Sequence, residues 1–252
     1  MRKRGKYAYA QIMKTDPFVR SSIPDTKFFT GESFNRMINR YGTVIVKPNW
    51  GLGGAGVIKV SRRSSGKYLI HVGTNRRVFS SQTAALDFLR PYTSRKPYIV
   101  QRYISMCRVK GRPFDLRIMV QRKKGVPWTI TGKLAKVAGP NRIITNTARS
   151  KGYVLPAISA LTHTFSKSRS KAILNRMEQI CLRAARKLGM AYGIRTYGFD
   201  MAVDRKGNTW VFEANEKPAI AFFKRLKDKS YYHQILATAP TTQYHRHFTG
   251  KI

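Results

Sequence analysis

A glycine-rich hexad between two β-branched runs constrains the fold of this chain more than any other feature. Thr43-Val44-Ile45-Val46-Lys47 reads as a strand ended by Pro48, and Gly51-Leu52-Gly53-Gly54-Ala55-Gly56 follows shortly after. A dinucleotide-binding loop of this G-x-G-x-x-G form leads from a strand into a helix, with an acid about 20 residues on. Here the loop leads into another β-rich run, Val57-Ile58-Lys59-Val60, and no acid stands at the right distance. A Walker loop needs Lys-Ser/Thr after its last glycine, and Val57-Ile58 stands there instead. What remains is a strand, a glycine flap and a strand. Backbone N–H groups in such a flap can approach phosphates, because glycine carries no Cβ. Lys47 can add a cation to the same phosphates. A protein-kinase flap is similar, but its lysine comes on a later strand, and neither His-Arg-Asp nor Asp-Phe-Gly follows here. The bland alternative is a tight glycine hairpin with no ligand.

The acids narrow the reading. There are 11 Asp+Glu against 49 Lys+Arg, a net charge of +38, so a group of carboxylates stands out. Asp200, Glu213 and Glu216 fall within one short segment. Tyr197 to Val203 and Thr209 to Asn215 read as a hairpin turned at Asp204-Arg205-Lys206-Gly207-Asn208. That turn places Asp200 roughly opposite Glu213, on one face with Cβ atoms about 5 Å apart. Asn215, two residues beyond Glu213, points the same way. Two unpaired carboxylates would repel or force one to protonate. An Mg²⁺ ion, which favours oxygen ligands, resolves the conflict. The alternative is a salt-bridged sheet surface, with Arg195 or Lys217 neutralising the acids.

The rest of the chain reads as an ordinary globular protein. Its 42% hydrophobic content supports a buried core and argues against disorder. No apolar run spans a membrane. Met1-Arg2-Lys3-Arg4 is not followed by the apolar stretch of a signal peptide. Cys107 and Cys181 lack a C-x-x-C pattern and fit a reduced, cytoplasmic compartment. Tyr9, Ile12 and Met13 mark a short helix near the start. Thr30 or Ser33 caps a second, whose apolar positions are Phe34, Met37, Ile38 and Tyr41, and Gly42 stops it. Further strands are expected over 67–72, 97–104, 114–122 and 128–137. A long helix is expected from about Ser168 to Leu188, with Gly189 as its stop. His71 reads as a structural strand residue, and His245 and His247 as part of a tail, with no acid or cysteine nearby to make a metal site.

These motifs, in this order, resemble the ATP-grasp superfamily, most closely its YheC/YheD-like (endospore coat-associated) group. They are also similar to RimK-type ligases. The carrying stretches are Ile23-Pro24-Asp25-Thr26, Val46-Lys47-Pro48 with the flap, Ile99 to Ile104, Gly111 to Arg117, Thr145-Asn146, Gly198-Phe199-Asp200 and Phe212 to Pro218. The resemblance implies an α+β fold in which two lobes with mainly antiparallel sheets enclose a nucleotide cleft. Residues 1–42 would form a helical segment, 43–105 the small lobe with the flap, 106–220 the large lobe with the Mg²⁺ site, and 221–252 a basic tail. ATP would be touched by Lys47, Gly53, Gly54 and Gly56, with Lys6 as an earlier lysine. Gln101, Arg102 and Tyr103 would form the adenine hinge, and Asp115 would lie near the ribose. Arg117, Lys136 and Asn146 would serve the reacting groups, and Asp200, Glu213 and Asn215 would hold Mg²⁺. Departures are visible: Lys136 stands where RimK-like ligases have an arginine, Ile144 where another is common, and Arg102 where an acid is common. Most of the extra N-terminal domain of many ATP-grasp enzymes is also missing.

The expected activity is activation of a carboxylate as an acyl-phosphate, which an amine then attacks, with ADP as the nucleotide product. A phosphotransferase that stops at the phosphorylated substrate is a variant. The alternative is a weakly binding or non-catalytic structural protein associated with an anionic polymer or spore layer. A surface this positive attracts polyanions, so a peptide or anionic polymer is an expected substrate. Nucleic acid is compatible with the charge but has no recognition motif here.

Overall fold

The computed structural model describes residues 4–51, 53–140 and 151–239, which build two antiparallel sheets with helices against them. The chain begins with α1 (Lys6–Met13) and α2 (Pro17–Arg20), then β1 (Thr26–Phe28), α3 (Gly31–Tyr41), β2 (Thr43–Pro48), β3 (Ile58–Arg62), β4 (Tyr68–Val72), β5 (Asn75–Phe79), α4 (Gln82–Thr93) and β6 (Tyr98–Arg102). The first sheet has the order β1-β6-β2-β3-β4-β5. α3 starts at a capping box, in which Thr30 and Ser33 satisfy each other's backbone N–H groups, and ends at Gly42 in the left-handed region. Its spacing buries Phe34, Met37 and Ile38, which pack with Val44, Val46, Ile58 and Val60 and with Leu89 of α4. β5 has no apolar alternation and is an exposed edge, which is why its sequence gave no strand signal.

The chain continues through β7 (Arg108–Val109), β8 (Arg112–Gln121), β9 (Thr129–Val137), β10 (Tyr153–Pro156), α5 (Ala157–Leu161), α6 (Lys167–Tyr192), β11 (Thr196–Val203), β12 (Thr209–Asn215), a 3-10 turn (Phe223–Arg225) and α7 (Ser230–Thr238). The second sheet runs β10-β9-β8-β11-β12, with β7 on β8. α6 lays Ile173, Met177, Ile180, Cys181, Ala184 and Leu188 into the core. It does not stop at Gly189. The helix continues to Tyr192 and ends at Gly193, whose φ is +69°. Gly189 is instead a packing site, because a Cβ there would come 2.6 Å from the Trp128 ring.

Strand alternation divides the second sheet. On β8, Phe114, Leu116, Ile118 and Val120 join the core that includes α6. The opposite face carries Asp115 and Arg117 at one end of the strand, and Met119 farther along. Met119 and Leu134 pack with Phe223, Leu226, Tyr232 and Ile235. Residues 223–235, expected as the start of a basic tail, instead pack apolar side chains over the far half of the face whose near half bears the charges. His245, His247, Ile144 and Asn146 lie outside the described residues.

Candidate active site

The charged face is a row written across adjacent strands. Lys136 of β9 is opposite Asp115 of β8, Arg117 of β8 is opposite Asp200 of β11, and Asp200 is opposite Glu213 of β12. Register therefore brings together groups far apart in sequence. Arg117 grips Asp200 with both arms of its fork, Nε to Oδ1 at 2.7 Å and a terminal nitrogen to Oδ2 at 2.9 Å. Lys136 donates to the same Oδ1 at 2.8 Å and lies 3.3 Å from Asp115. The acids are thus neutralised by Arg117 and Lys136, not by Arg195 or Lys217. Burial alone would raise the Asp200 pKa, but the two cations hold it well below the ordinary carboxylate range. Burial opposes the charge on Arg117, and Asp200 more than offsets it, so its pKa is raised.

Glu213 differs from its neighbour. It is half-buried, accepts from the Asn215 amide at 3.1 Å and lies 3.6 Å from the Lys6 ammonium. Lys6 also donates to the Gly51 carbonyl at 2.9 Å, so it ties the base of the flap to the hairpin. Lys47 is fully enclosed between the sheets, donating to Gln101 Oε1 at 2.9 Å and to the Phe212 carbonyl at 3.3 Å. Burial pulls its pKa down to about 8, against the pull of Glu213.

Around this row lies a cleft of about 530 Å³, within the range of small-molecule sites. Lys6, Lys47, Gly53, Gly54, Gln101, Arg102, Tyr103, Asp115, Arg117, Lys136, Asp200, Glu213 and Asn215 all line it. Gly56 does not: a Cβ there would meet the Tyr98 hydroxyl at 2.6 Å and Pro48 at 3.1 Å, so its smallness serves the packing under the flap. The Gln101 amide is committed to Lys47 and, at 2.9 Å, to Thr26. The N–H groups of Arg102 and Tyr103 bond the carbonyls of Asp25 and Thr43. Arg102 lies over the rings of Tyr41 and Trp210 and so ties the side of the first sheet to that of the second.

Sequence reasoning missed the apolar lining. Ile45, Ile104, Met106, Phe212 and Phe222 line the cleft, as do Trp50 and Lys217. Ile45 could have been found, since it sits two residues before Lys47 on the same strand face. Ile104, Met106 and Phe222 come from irregular segments that carry no period.

The donor set fits a magnesium ion held together with a nucleotide. Among the described residues no group of three or more His, Cys, Asp or Glu side chains gathers, so there is no all-carboxylate cage. Glu213 and Asn215 offer hard oxygen ligands. Asp200 Oδ2 accepts from one arginine nitrogen at 2.9 Å and only weakly, at 3.5 Å, from the Asn215 amide. Turning the Asn215 amide over exchanges its N and O and presents its oxygen. One or two carboxylates plus substrate phosphates is the usual way Mg²⁺ is held.

Comparison with known proteins agrees with this geometry. Two proteins of Bacillus subtilis (strain 168), endospore coat-associated protein YheD and endospore coat-associated protein YheC, are each 22% identical to this chain, over 227 and 218 residues. The matches cover 86% and 84% of this chain but 49% and 59% of those proteins, so the chain spans about half the length of these relatives. The ATP-grasp ligase PsnB, complexed with a minimal precursor, superposes with a TM-score of 0.54 at 16% identity, over 93% of this chain and 60% of that one. The C-terminal domain of Pby1 from K. lactis, an ATP-grasp enzyme interacting with the mRNA decapping enzyme Dcp2, gives 0.52 at 14% identity over 90% of this chain and 69% of that one. These likenesses establish the fold. The family described as YheC/D like ATP-grasp matches residues 2–246, and the chain belongs to that family.

Proposed function

We propose that this chain is an ATP- and Mg²⁺-dependent carboxylate–amine ligase that forms ADP. The observation that carries the reading is the convergence of the glycine flap, Lys47 and the Lys136–Asp115–Arg117–Asp200–Glu213 row on one cleft. Adenine would fill the apolar end lined by Ile45, Ile104, Met106 and Phe212. The flap would direct the N–H groups of Gly53 and Gly54 at the phosphates, with Lys6 and Lys47 adding charge. Asp200, Glu213 and Asn215 would hold Mg²⁺, which supplies shielding of the phosphate oxygens when bound. Arg117 and Lys136, held in place by Asp200 and Asp115, would face the charge that develops during transfer.

In the first step a substrate carboxylate oxygen attacks the γ-phosphorus and the bond to the ADP oxygen breaks, leaving an acyl-phosphate. In the second an amine attacks the acyl carbon, phosphate leaves, and the nitrogen loses a proton to give an amide. Catalysis is mainly positioning and charge neutralisation. Incubation with Mg·ATP, a carboxylate peptide and an amine should yield ADP and phosphate. AMP and pyrophosphate would overturn the assignment.

A second reading has one observation of its own. Asp200 is already paired through its oxygens with Arg117 and Lys136 without any ligand. A coat-associated protein that kept the fold for structural reasons would look like this, and the names of the relatives point the same way. Calorimetric titration with Mg·ATP separates the readings: silence up to about 1 mM, the upper end of ordinary substrate constants, supports the structural one. Among the described residues no helix is long and apolar enough to cross a membrane.

A further inference from the structure

A second groove, of about 390 Å³, adjoins the cleft, and Tyr103 and Met106 line both. Cations from both lobes face it. Lys59 of β3 and Arg76 of β5 come from the first sheet, and Arg108, Lys110 and Arg112 from the β7–β8 turn of the second. Arg108 and Arg112 are held in place by the carbonyls of Gly111 and Ala138, each at 2.6 Å. No Asp or Glu lines the groove, and none of these cations forms an ion pair with a carboxylate, among the described residues. Such an uncompensated cluster concentrates anions.

His71 of β4 says which kind of anion. It is 8% exposed, lines the groove, and its Nε2 has no hydrogen-bond partner among the described residues. Its bond to the Gly73 backbone raises its pKa, so the ring N–H donates to that carbonyl and Nε2 is left as an acceptor. Burial, then Arg76 and Lys59, outweigh that bond and lower the pKa, which keeps the ring neutral. The groove therefore asks for several anionic oxygens and one N–H donor. A phosphate chain supplies only oxygens. A nucleic acid needs ring faces for its bases, and Tyr103 has the Lys59 ammonium over its ring at 3.8 Å. An acidic polypeptide supplies carboxylates for the cations and backbone N–H groups for His71.

The distance is suitable. Arg112 in the groove and Arg117 in the cleft lie on the same strand, about 17 Å apart at the rise of a β-strand. A carboxylate about five extended residues along the same peptide reaches from one to the other.

We infer that this groove docks an acidic segment of the polypeptide whose carboxylate is activated in the adjoining cleft. The activation clause rests on the ligase reading, whereas docking is measurable without turnover. Fluorescein-labelled hexaglutamate is titrated with the full chain and followed by anisotropy. The exposed pair Arg76→Glu/Lys110→Glu should weaken binding about tenfold, and the exposed α6 pair Lys171→Glu/Arg186→Glu, with the same change of charge, less than about twofold. Mg·ATP affinity should be unchanged in both. Equal losses in the two pairs would mean that hexaglutamate binds the whole positive surface, and would overturn the docking site. So would a labelled oligothymidylate that binds more tightly than hexaglutamate and is lost with the groove pair. Selective loss of hexaglutamate without any ADP formation would uphold docking and sink the ligase reading.

Discussion

The flap and the β11–β12 hairpin face each other across the cleft and are built in opposite ways. β11 is buried along its whole length, hydrogen-bonded to β8 on one side and β12 on the other. Its carboxylate is fixed by two cations, Arg117 from the adjacent β8 and Lys136 from β9 beyond it. Gly51, Gly53 and Ala55 of the flap are exposed, and Gly53, Gly54 and Gly56 take φ values near +70° that other residues resist. The wall thus carries charge on a rigid sheet, and the cover carries only backbone N–H groups on a pliable loop. Charges whose misplacement would be costly sit where the backbone cannot move, and the part that must open for a nucleotide holds no charge to desolvate.

Substitutions test that contrast. Asp200→Ala should have the largest effect, because it strands Arg117 as a buried cation and leaves Lys136 with Asp115 alone. About 3–5 kcal/mol of stability should be lost in urea unfolding. The same pair has a pH signature. The Asp200 pKa is depressed on folding, so its contribution is fully present above the unfolded value of about 3.9 and disappears as pH falls through the lower folded value. The wild type should lose more stability on acidification than the variant does. Gly198→Ala should follow, at about 1–3 kcal/mol. Its Cβ would come 2.4 Å from Pro218 and 3.3 Å from the Arg117 side chain, so nucleotide affinity should fall with stability.

Glu213→Ala separates stability from function on the same wall. Its carboxylate is half-buried and lightly held, so thermal unfolding should shift by less than about 1 kcal/mol, while Mg·ATP turnover disappears. Lys47 lies where the two regions meet. Its pKa of about 8 should rise when phosphates bind, so the protonated form binds better. Affinity should be full below pH 8 and weaken as pH rises above it, and calorimetry in two buffers should show proton uptake at pH 8–9. The smallest effect belongs to the flap. Gly53→Ala should leave global stability within about 0.5 kcal/mol and weaken nucleotide binding several-fold, since alanine resists φ +70° by about 1–2 kcal/mol. If it destabilised the protein as much as Asp200→Ala, the contrast between rigid wall and pliable cover would be wrong.

Much of the fold was legible because local rules agreed with the final structure. Thr30, the spacing of Phe34, Met37 and Ile38, and Gly42 define α3 at both ends. The hairpin itself follows from two strands and a turn within twenty residues, but counting back from Val203 opposite Thr209 would set Asp200 against Phe212, and a β-bulge between Asp200 and Met201 shifts its partner to Glu213. Gly189 misled because glycine ends helices by default, whereas here its lack of a side chain makes room for Trp128, which lies about sixty residues away in sequence. α7 went unseen because its partners, Met119 and Leu134, lie on distant strands and its nine residues are too few to show a clear helical period.

What the chain alone determined is the alternation that puts Asp115 with Arg117, and Glu213 with Asn215, on common strand faces, and the glycines that allow a flap. Which cation meets which acid was decided only when the sheets assembled. Arg117 and Lys136 reach Asp200 from 83 and 64 residues away, past the nearer candidates Arg195 and Lys217. The physical reason is that a strand's own sequence sets which side its residues face, while the neighbour it lies beside is chosen by the burial of both sheets' apolar surfaces and by strand order. No local pattern encodes those.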